Sequence, residues 1–467
     1  MDNPKITMAQ ADVPYDPFHP EQAVYAKKHV PGAKRNDEKR TYVDFGTERH
    51  EDKERYTSSK VMALEWEKIW TKTWLLCGHE SDLPDVGSFM KVDIGPESIL
   101  VVRQKDDSLK AIYNVCQHRG MQLESRDFGT NVRFNCPFHL WQYDLSGKCI
   151  KVTDRESFRI EALDHKLDIE QIRVDAWKGW VFISMDQDVV PLLEYLGDDL
   201  IKRLDAYPFE HMKRMSDKRQ EWDANWKIAL EAFVEGYHLQ GLHPELIPLA
   251  DTYRNQQDMF PNGHSVTISR FLIPSEQYAH RLKAKMTDEH QLFMREAGVD
   301  PATFQGGPAD VRDVIIKSKR KHAETTGFAF DKFDDEQLVD DWTVKFFPAC
   351  TFNTHPEGVL VQRFLPHPTD PEKFVYISQT WALPDRELPS YMGVPSDADR
   401  TGKTIRRPAY LEKGDLAALG PVISQDATTM PKIQKRLRSK GYKGAIYSEQ
   451  EISIRQFYAE YERYLSA

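Results

Sequence analysis

Two short Cys–His pairs constrain this chain more than any other feature: Cys116-x-His118 and Cys136-x-x-His139, with 17 residues between them. Two thiols and two imidazoles this closely grouped suit one metal centre, so the two segments must face each other. Each pair ends a strand-like run, in NVCQHRG and in FNCPFHLW, which puts each at a hairpin tip. Gly120 and Pro137 suit the tight backbone turns such tips need. Around them, from about residue 75 to 185, short runs (FMKVDI, SILVVRQ, LKAIYNV, VRFNC, GWVFISM) alternate with Gly, Asp and Asn turns. This pattern predicts a small all-β domain. The chain has only five cysteines, an odd and sparse count that does not suggest a disulfide framework. The expected setting is therefore reducing and cytoplasmic, where grouped Cys and His favour metal.

Such a ligand set can hold a single zinc or an iron–sulfur cluster. Zinc sites usually space their thiols Cys-x₂₋₄-Cys, with longer gaps to His. The short Cys-x-His step fits better a 2Fe–2S cluster in which Cys116 and Cys136 hold one iron and His118 and His139 the other. Cys77, Cys149 and Cys350 lie in strand-like runs and read as small buried hydrophobes.

A second constellation runs from Asn225 to Pro244 (NWKIALEAFVEGYHLQGLHP). Read as one helix, it places Glu231, Glu235 and His238 at i, i+4 and i+7, on a common face. His243 follows His238 by five residues, which on an ideal α-helix leaves the imidazoles ~140° apart. They converge only if the helix loosens, and Gly241 and Pro244 predict a π-type turn or an unwinding between them. Two convergent histidines and one carboxylate make a facial triad for Fe(II), with positions left for O₂.

The 467 residues suffice for two or three domains. A net charge of −10 argues against nucleic acid or an anionic membrane as partner. No apolar run approaches the ~18 residues of a spanning helix, and MDNPKITMAQ does not read as a secretory leader. The expected organisation is an irregular arm over 1–56, a β domain with a leading helix over 57–187, and a mixed domain over 188–467. Within the last, 277–341 reads as a helical insertion or lid, and 448–465 as a closing amphipathic helix.

In order, these motifs resemble the α subunit, or terminal oxygenase component, of Rieske non-haem iron ring-hydroxylating oxygenases. The resemblance covers about residues 57 to 465 and rests on the Cys–His pairs, Asn-Trp-Lys, Glu-x-Phe-x-Glu-Gly-Tyr-His-x₄-His and a late acid. It implies an α+β chain: an all-β Rieske domain joined to a helix-grip, START-like catalytic domain whose curved antiparallel sheet wraps an apolar cavity. It implies one 2Fe–2S cluster and one mononuclear Fe(II), held by His238, His243 and an acid. That acid is carried over to Asp426 in ISQDATTMPKIQ, with Asp415 as the fallback. Glu235 stands where the family usually has an Asp that bridges a Rieske histidine of one subunit to an iron histidine of the next, here reaching His238 or Tyr237. The resemblance further implies a ferredoxin or flavin reductase as electron donor, and a cyclic homotrimer with or without a β subunit. The expected reaction is mono- or dioxygenation, or oxidative dealkylation, of a small organic substrate, aromatic in the first reading. A non-aromatic quaternary amine stays open because Glu replaces Asp. A START-like module binding a hydrophobic ligand is the rival outside enzymes.

Overall fold

The structure is a computed structural model that describes residues 45–46, 48–273, 275, 286–326, 328, 330–384, 398–399, 401 and 406–467. Of the expected arm, residues 1–44 and 47 lie outside the described residues, as do 277–285, 327 and 329 of the expected insertion.

The first sheet has seven strands, all antiparallel neighbours, beginning at Leu75–His79 and ending at Trp180–Ser184. The strand Glu97–Arg103 shows how it is built. Its side chains alternate between two cores. Ile99 and Val101 join the core beneath the leading helix, whereas Leu100 and Val102 join a smaller core with Cys116, Cys136 and Tyr143. A separate three-stranded sheet (Phe134–Asn135, Gln142–Tyr143, Cys149–Lys151) carries the second Cys–His pair. The leading helix Ser59–Glu65 continues as a π-turn over Trp66–Trp70. Cys77 and Cys350 are buried as expected, while Cys149 is half-buried.

The second sheet is a curled, eight-stranded half-barrel. Its order runs Ala250–Met259, Ser265–Phe271, Asp341–Phe346, Cys350–His355, Gly358–Pro366, Phe374–Ala382, Lys213–Trp222, Ala409–Tyr410. Only the last pairing is parallel. Pro348, which lacks an N–H, divides the strand-like run 343–355 between two strands. Three strands that the apolar pattern does not announce, Lys213–Trp222, Ala250–Met259 and Ser265–Phe271, complete the sheet. The first, KRMSDKRQEW, is charged because its charges pair. Arg214 meets Asp82 of the first domain and Asp217, and Arg219 also meets Asp217.

Alternation gives this sheet two unlike faces. Trp342, Val344, Phe346, Phe352, Val361 and Trp381 join Trp180 and Phe182 of the first sheet in one core, with Trp180 and Phe352 rings 4.7 Å apart. Met294, Val311, Ile315 and Phe330 join the same core, so the helices Asp288–Glu296 and Pro308–Thr326 lie on that outer face. On the inner face, Phe364 and Tyr376 pack on Phe233 at 5.4 and 5.8 Å, and Lys345 reaches the C-terminal helix Ile452–Ser466 through Ser453. Helices Trp226–Phe233 and Pro421–Leu437 complete the inner layer.

The long helix read from 225 to 244 does not form. It ends at Phe233, and a single α-turn, Leu239–Leu242, follows after a break. Glu235 makes the break. Its carboxylate accepts the backbone N–H of Tyr237 and His238, restarting the helix where the first one stopped. Gly241 is hydrogen-bonded inside the second turn rather than unwound, with its N–H on His238 O at 3.0 Å. Non-helical φ/ψ comes at His243 (−123°, 57°). Glu231 consequently shares no face with Glu235. It is turned back into the protein, where Tyr56 Oη donates to it at 2.7 Å and Tyr458 Oη also donates.

Candidate metal centres

The two Cys–His loops repeat one hydrogen-bond pattern. Cys116 N donates to Met121 O (2.8 Å) and Cys116 O accepts from Gly120 N (3.0 Å). Cys136 N donates to Trp141 O (2.8 Å) and Cys136 O accepts from Leu140 N (3.0 Å). The fourth residue after each Cys has positive φ, +74° at Gly120 and +61° at Leu140. Such a turn lifts the following His back over its own Cys, so two like loops enclose one space.

Both thiols are 1 % exposed. The two Nδ1 atoms of His118 and His139 face each other at 3.1 Å. His118 lies flat on Trp141, with ring centroids 4.9 Å apart and an interplanar angle of 6°. Burial, then the neighbouring His139 and Arg119, lowers the His118 pKa and favours the neutral ring that ligates metal. Tyr143 was not singled out in the sequence, yet its hydroxyl lies 3.4 Å from Cys116 Sγ and accepts from Gln117 N at 3.0 Å. A pair of neighbouring thiols, Cys116 and Cys136, and a pair of facing imidazoles, His118 and His139, fit a cluster held through one ligand pair on each iron.

His238, His243 and Asp426 form the second cluster, with one ligand atom from each lying within 4.8 Å of the others. The imidazole centroids are 5.0 Å apart at 77°. His238 Nδ1 donates to Glu235 Oε1 at 2.6 Å, and His243 Nδ1 donates to Gln425 Oε1. With both Nδ1 atoms so occupied, each Nε2 keeps its lone pair free for a metal. His243 Nε2 is 3.4 Å from Asp426 Oδ1. That Oδ1 is buried and receives no hydrogen bond, on a residue only 2 % exposed. A buried carboxylate oxygen without a donor, facing two imidazole lone pairs, is the chemistry of a divalent metal site. The residues present therefore fit a mononuclear iron. Burial works against a charged His238, but the bond to Glu235 and its charge prevail and raise the pKa.

Asp426 comes from helix Pro421–Leu437, and the same helix anchors the start of the His-bearing segment. Gln434 Oε1 accepts from Asn225 N at 2.8 Å, while Asn225 caps its own helix by accepting Lys227 N. Asp415 is exposed and outside the cluster. Tyr237 is 45 % exposed. Gln425 stands beside Asp426 in sequence, and nothing in the sequence marks it as the orienting group of His243.

Residues 73–166 match the Rieske [2Fe-2S] domain, and residues 209–467, more than half the chain, match the ring-hydroxylating α subunit catalytic domain. The chain is similar to biphenyl dioxygenase subunit α of Metapseudomonas furukawaii, 33 % identical over 225 residues, 41 % of this chain and 46 % of that protein. It is also similar to the methanesulfonate monooxygenase hydroxylase α subunit of Methylosulfonomonas methylovora, 28 % identical, covering 48 % and 57 %. The chain thus spans about half the length of these curated relatives. Among solved structures, the fold resembles the quaternary ammonium Rieske monooxygenase CntA in complex with L-carnitine, with a TM-score of 0.63, 20 % identity and coverage of 90 % and 97 %. It also resembles naphthalene 1,2-dioxygenase with indole bound, at 0.64, 18 %, 90 % and 92 %. The chain belongs to the family of ring-hydroxylating oxygenase α subunits, with a Rieske 2Fe–2S domain ahead of its catalytic domain.

Proposed function

We propose that this chain is a terminal oxygenase component, with Cys116, Cys136, His118 and His139 holding the Rieske cluster and His238, His243 and Asp426 holding the iron. The observation that carries the reading is the second cluster: two histidines locked in one tautomer around an acid oxygen that nothing else satisfies. When bound, the cluster supplies single electrons and the mononuclear iron supplies O₂ activation. The chain's own residues do the rest. Glu235 and Gln425 hold the Nδ1 protons, so both Nε2 atoms stay aimed at one point. Burial of Asp426 and His243 keeps bulk water from the ligands on that side.

The electron donor on this reading is a ferredoxin or flavin reductase, and the assembly is a head-to-tail homotrimer. In support, the cluster tip is an exposed, partly apolar surface (Phe138 53 %, Leu140 60 %, Met121 41 %), and Tyr237 is exposed beside Glu235. Docking the tip of one subunit on the Glu235–Tyr237 turn of the next buries both. Glu235 already binds His238 and two backbone N–H groups. Its remaining lone pair is the acceptor for the neighbour's His139. A helix long and apolar enough to cross a membrane is absent among the described residues.

Metal analysis and isotope labelling test the reading together. The purified protein should carry about three iron atoms per chain, two in the cluster and one in the triad. Product formed under ¹⁸O₂ with a reductase should contain labelled oxygen. Zinc in the Cys–His site, or product oxygen derived solely from water, would overturn it.

A further inference from the structure

The edge strand Cys149–Lys151 of the small three-stranded sheet and the segment after it enclose a shallow cavity of about 540 Å³. Three cations stand on its wall, Lys151, Arg155 and Lys166, together with His165 and the apolar Ile150. All five side chains are exposed, Ile150 at 50 %. Lys151, Arg155 and Lys166 form no ion pair among the described residues. Other cations near the first sheet are paired: Arg103 with Glu80 at 3.4 Å, Arg126 with Glu124 at 2.6 Å and Lys178 with Glu210 at 3.7 Å. Asp168 is the one acid on the cavity wall, and its Oδ1 accepts from Cys149 N at 2.7 Å. Asp154, Glu156, Glu161 and Asp164 belong to the same segment, but none of them lines the cavity. The wall is thus an open, locally positive face with an apolar side chain on it, in a chain of net charge −10.

The same wall lies close to the cluster ligands. Cys149, at the cavity, is the register partner of Tyr143 in the neighbouring strand. Tyr143 Oη in turn lies 3.4 Å from Cys116 Sγ. Paired strands are ~4.8 Å apart, so a single strand separates the cavity from the residue that touches the cluster thiol. His118 and His139 belong to the exposed tip, the face that the head-to-tail assembly covers. Electrons then have to enter by another face, and the cavity wall offers a short route to the thiols.

We propose that this cavity is where the chain receives electrons, and that the partner is an acidic one-electron carrier protein whose carboxylates meet Lys151, Arg155 and Lys166 around Ile150. The proposal rests on the oxygenase reading above and names the partner of its cluster. An acidic carrier is repelled by the chain as a whole, so its encounter depends on a local positive face that steers it. One electron leaves the partner's reduced centre and enters the oxidised cluster; no covalent bond forms or breaks.

The test is stopped-flow reduction of the iron- and cluster-loaded protein by a reduced, acidic plant-type 2Fe–2S ferredoxin, read from the cluster absorption. Such a ferredoxin lies near about −400 mV, below the range of Rieske centres, so transfer is downhill. The wild-type second-order rate constant should fall about tenfold or more between roughly 20 and 500 mM salt. Reversing the three charges together (Lys151→Glu, Arg155→Glu, Lys166→Glu) should lower the low-salt constant about tenfold or more and flatten its salt dependence. A control with the same change in net charge uses exposed lysines outside the first domain (Lys202→Glu, Lys317→Glu, Lys440→Glu) and should stay within about threefold of wild type. Calorimetry with oxidised ferredoxin should show the affinity weakening in the cavity variant and not in the control. Cluster absorption and circular dichroism confirm that each variant is folded. The proposal is overturned if the cavity variant keeps the wild-type rate and affinity, if both variants lose them equally, or if the wild-type rate is indifferent to salt. The iron count does not depend on these side chains, so this proposal and the oxygenase reading fail on different measurements.

Discussion

Gln425 accepts a hydrogen bond from Nδ1 of His243, and the residue after it, Asp426, presents a bare carboxylate oxygen to the other ring nitrogen of the same histidine. One turn of helix thus supplies both a ligand candidate and the group that orients its neighbour. Glu235 does the same for His238 from the opposite side.

Gln425→Leu should leave the fold intact and weaken metal binding at the triad by about ten- to a hundredfold, because His243 loses its fixed tautomer. Titration of iron-free protein with Co(II), followed by its visible bands, measures this. An unchanged affinity would mean that packing alone holds His243.

Asp426→Asn should remove the mononuclear iron while the cluster remains, leaving about two iron atoms per chain. Without metal the variant should be more stable than the wild type by roughly 1–3 kcal/mol, since an unpaired buried carboxylate has been neutralised. Urea unfolding of the two iron-free proteins reads the difference. A less stable variant would show that the carboxylate is satisfied by some other group.

His139→Cys should shift the cluster potential downward, toward the range near about −400 mV typical of all-thiolate clusters, because a thiolate adds negative charge. Tyr143→Phe should also lower the potential, by a smaller amount, through loss of the hydroxyl 3.4 Å from Cys116 Sγ. Spectroelectrochemical titration gives both values. A rise in either variant contradicts the assignment of these ligands.

Two buried histidines make the fold acid-labile. Burial lowers the pKa of His79 to about 3 and that of His264 to about 4. Each has a backbone N–H donating to Nδ1 (Ser81 N at 3.1 Å, Phe347 N at 3.1 Å), so protonation also breaks a hydrogen bond. The unfolded chain binds these protons near pH ~6.5 and the folded chain only near the lowered values. The stability is therefore complete above about pH 6.5 and declines as pH falls below it, by up to about 1.4 kcal/mol per pH unit for each histidine. Urea midpoints at pH 7.5 and 5.5 test the sign, and His264→Gln should flatten the decline. A pH-independent midpoint would remove this account.

Much of the site is written in local patterns. Cys116, His118, Cys136 and His139 stand out because a metal centre needs its ligand types at short spacing, and spacing is a property of the chain. The paired apolar runs likewise mark most of the first sheet. The second sheet is less legible. Lys213–Trp222 and Ala250–Met259 are polar strands, with Arg214 paired to Asp82 and Gln257 bonded to Gln450 O in other elements, so no apolar alternation announces them. The helix expected from 225 to 244 fails for a related reason. Propensity favours continuation, but the Glu235 carboxylate captures two backbone N–H groups and ends it.

Ligand types, their order and the tips that carry them are set locally, because these depend on residues a few positions apart. Long-range packing brought Asp426 rather than Asp415 to the histidines and set Gln425 to orient one of them. Both join residues from segments far apart in the chain, and which polar groups meet inside a protein is settled by packing, which places each buried donor or acceptor beside whatever partner the fold supplies.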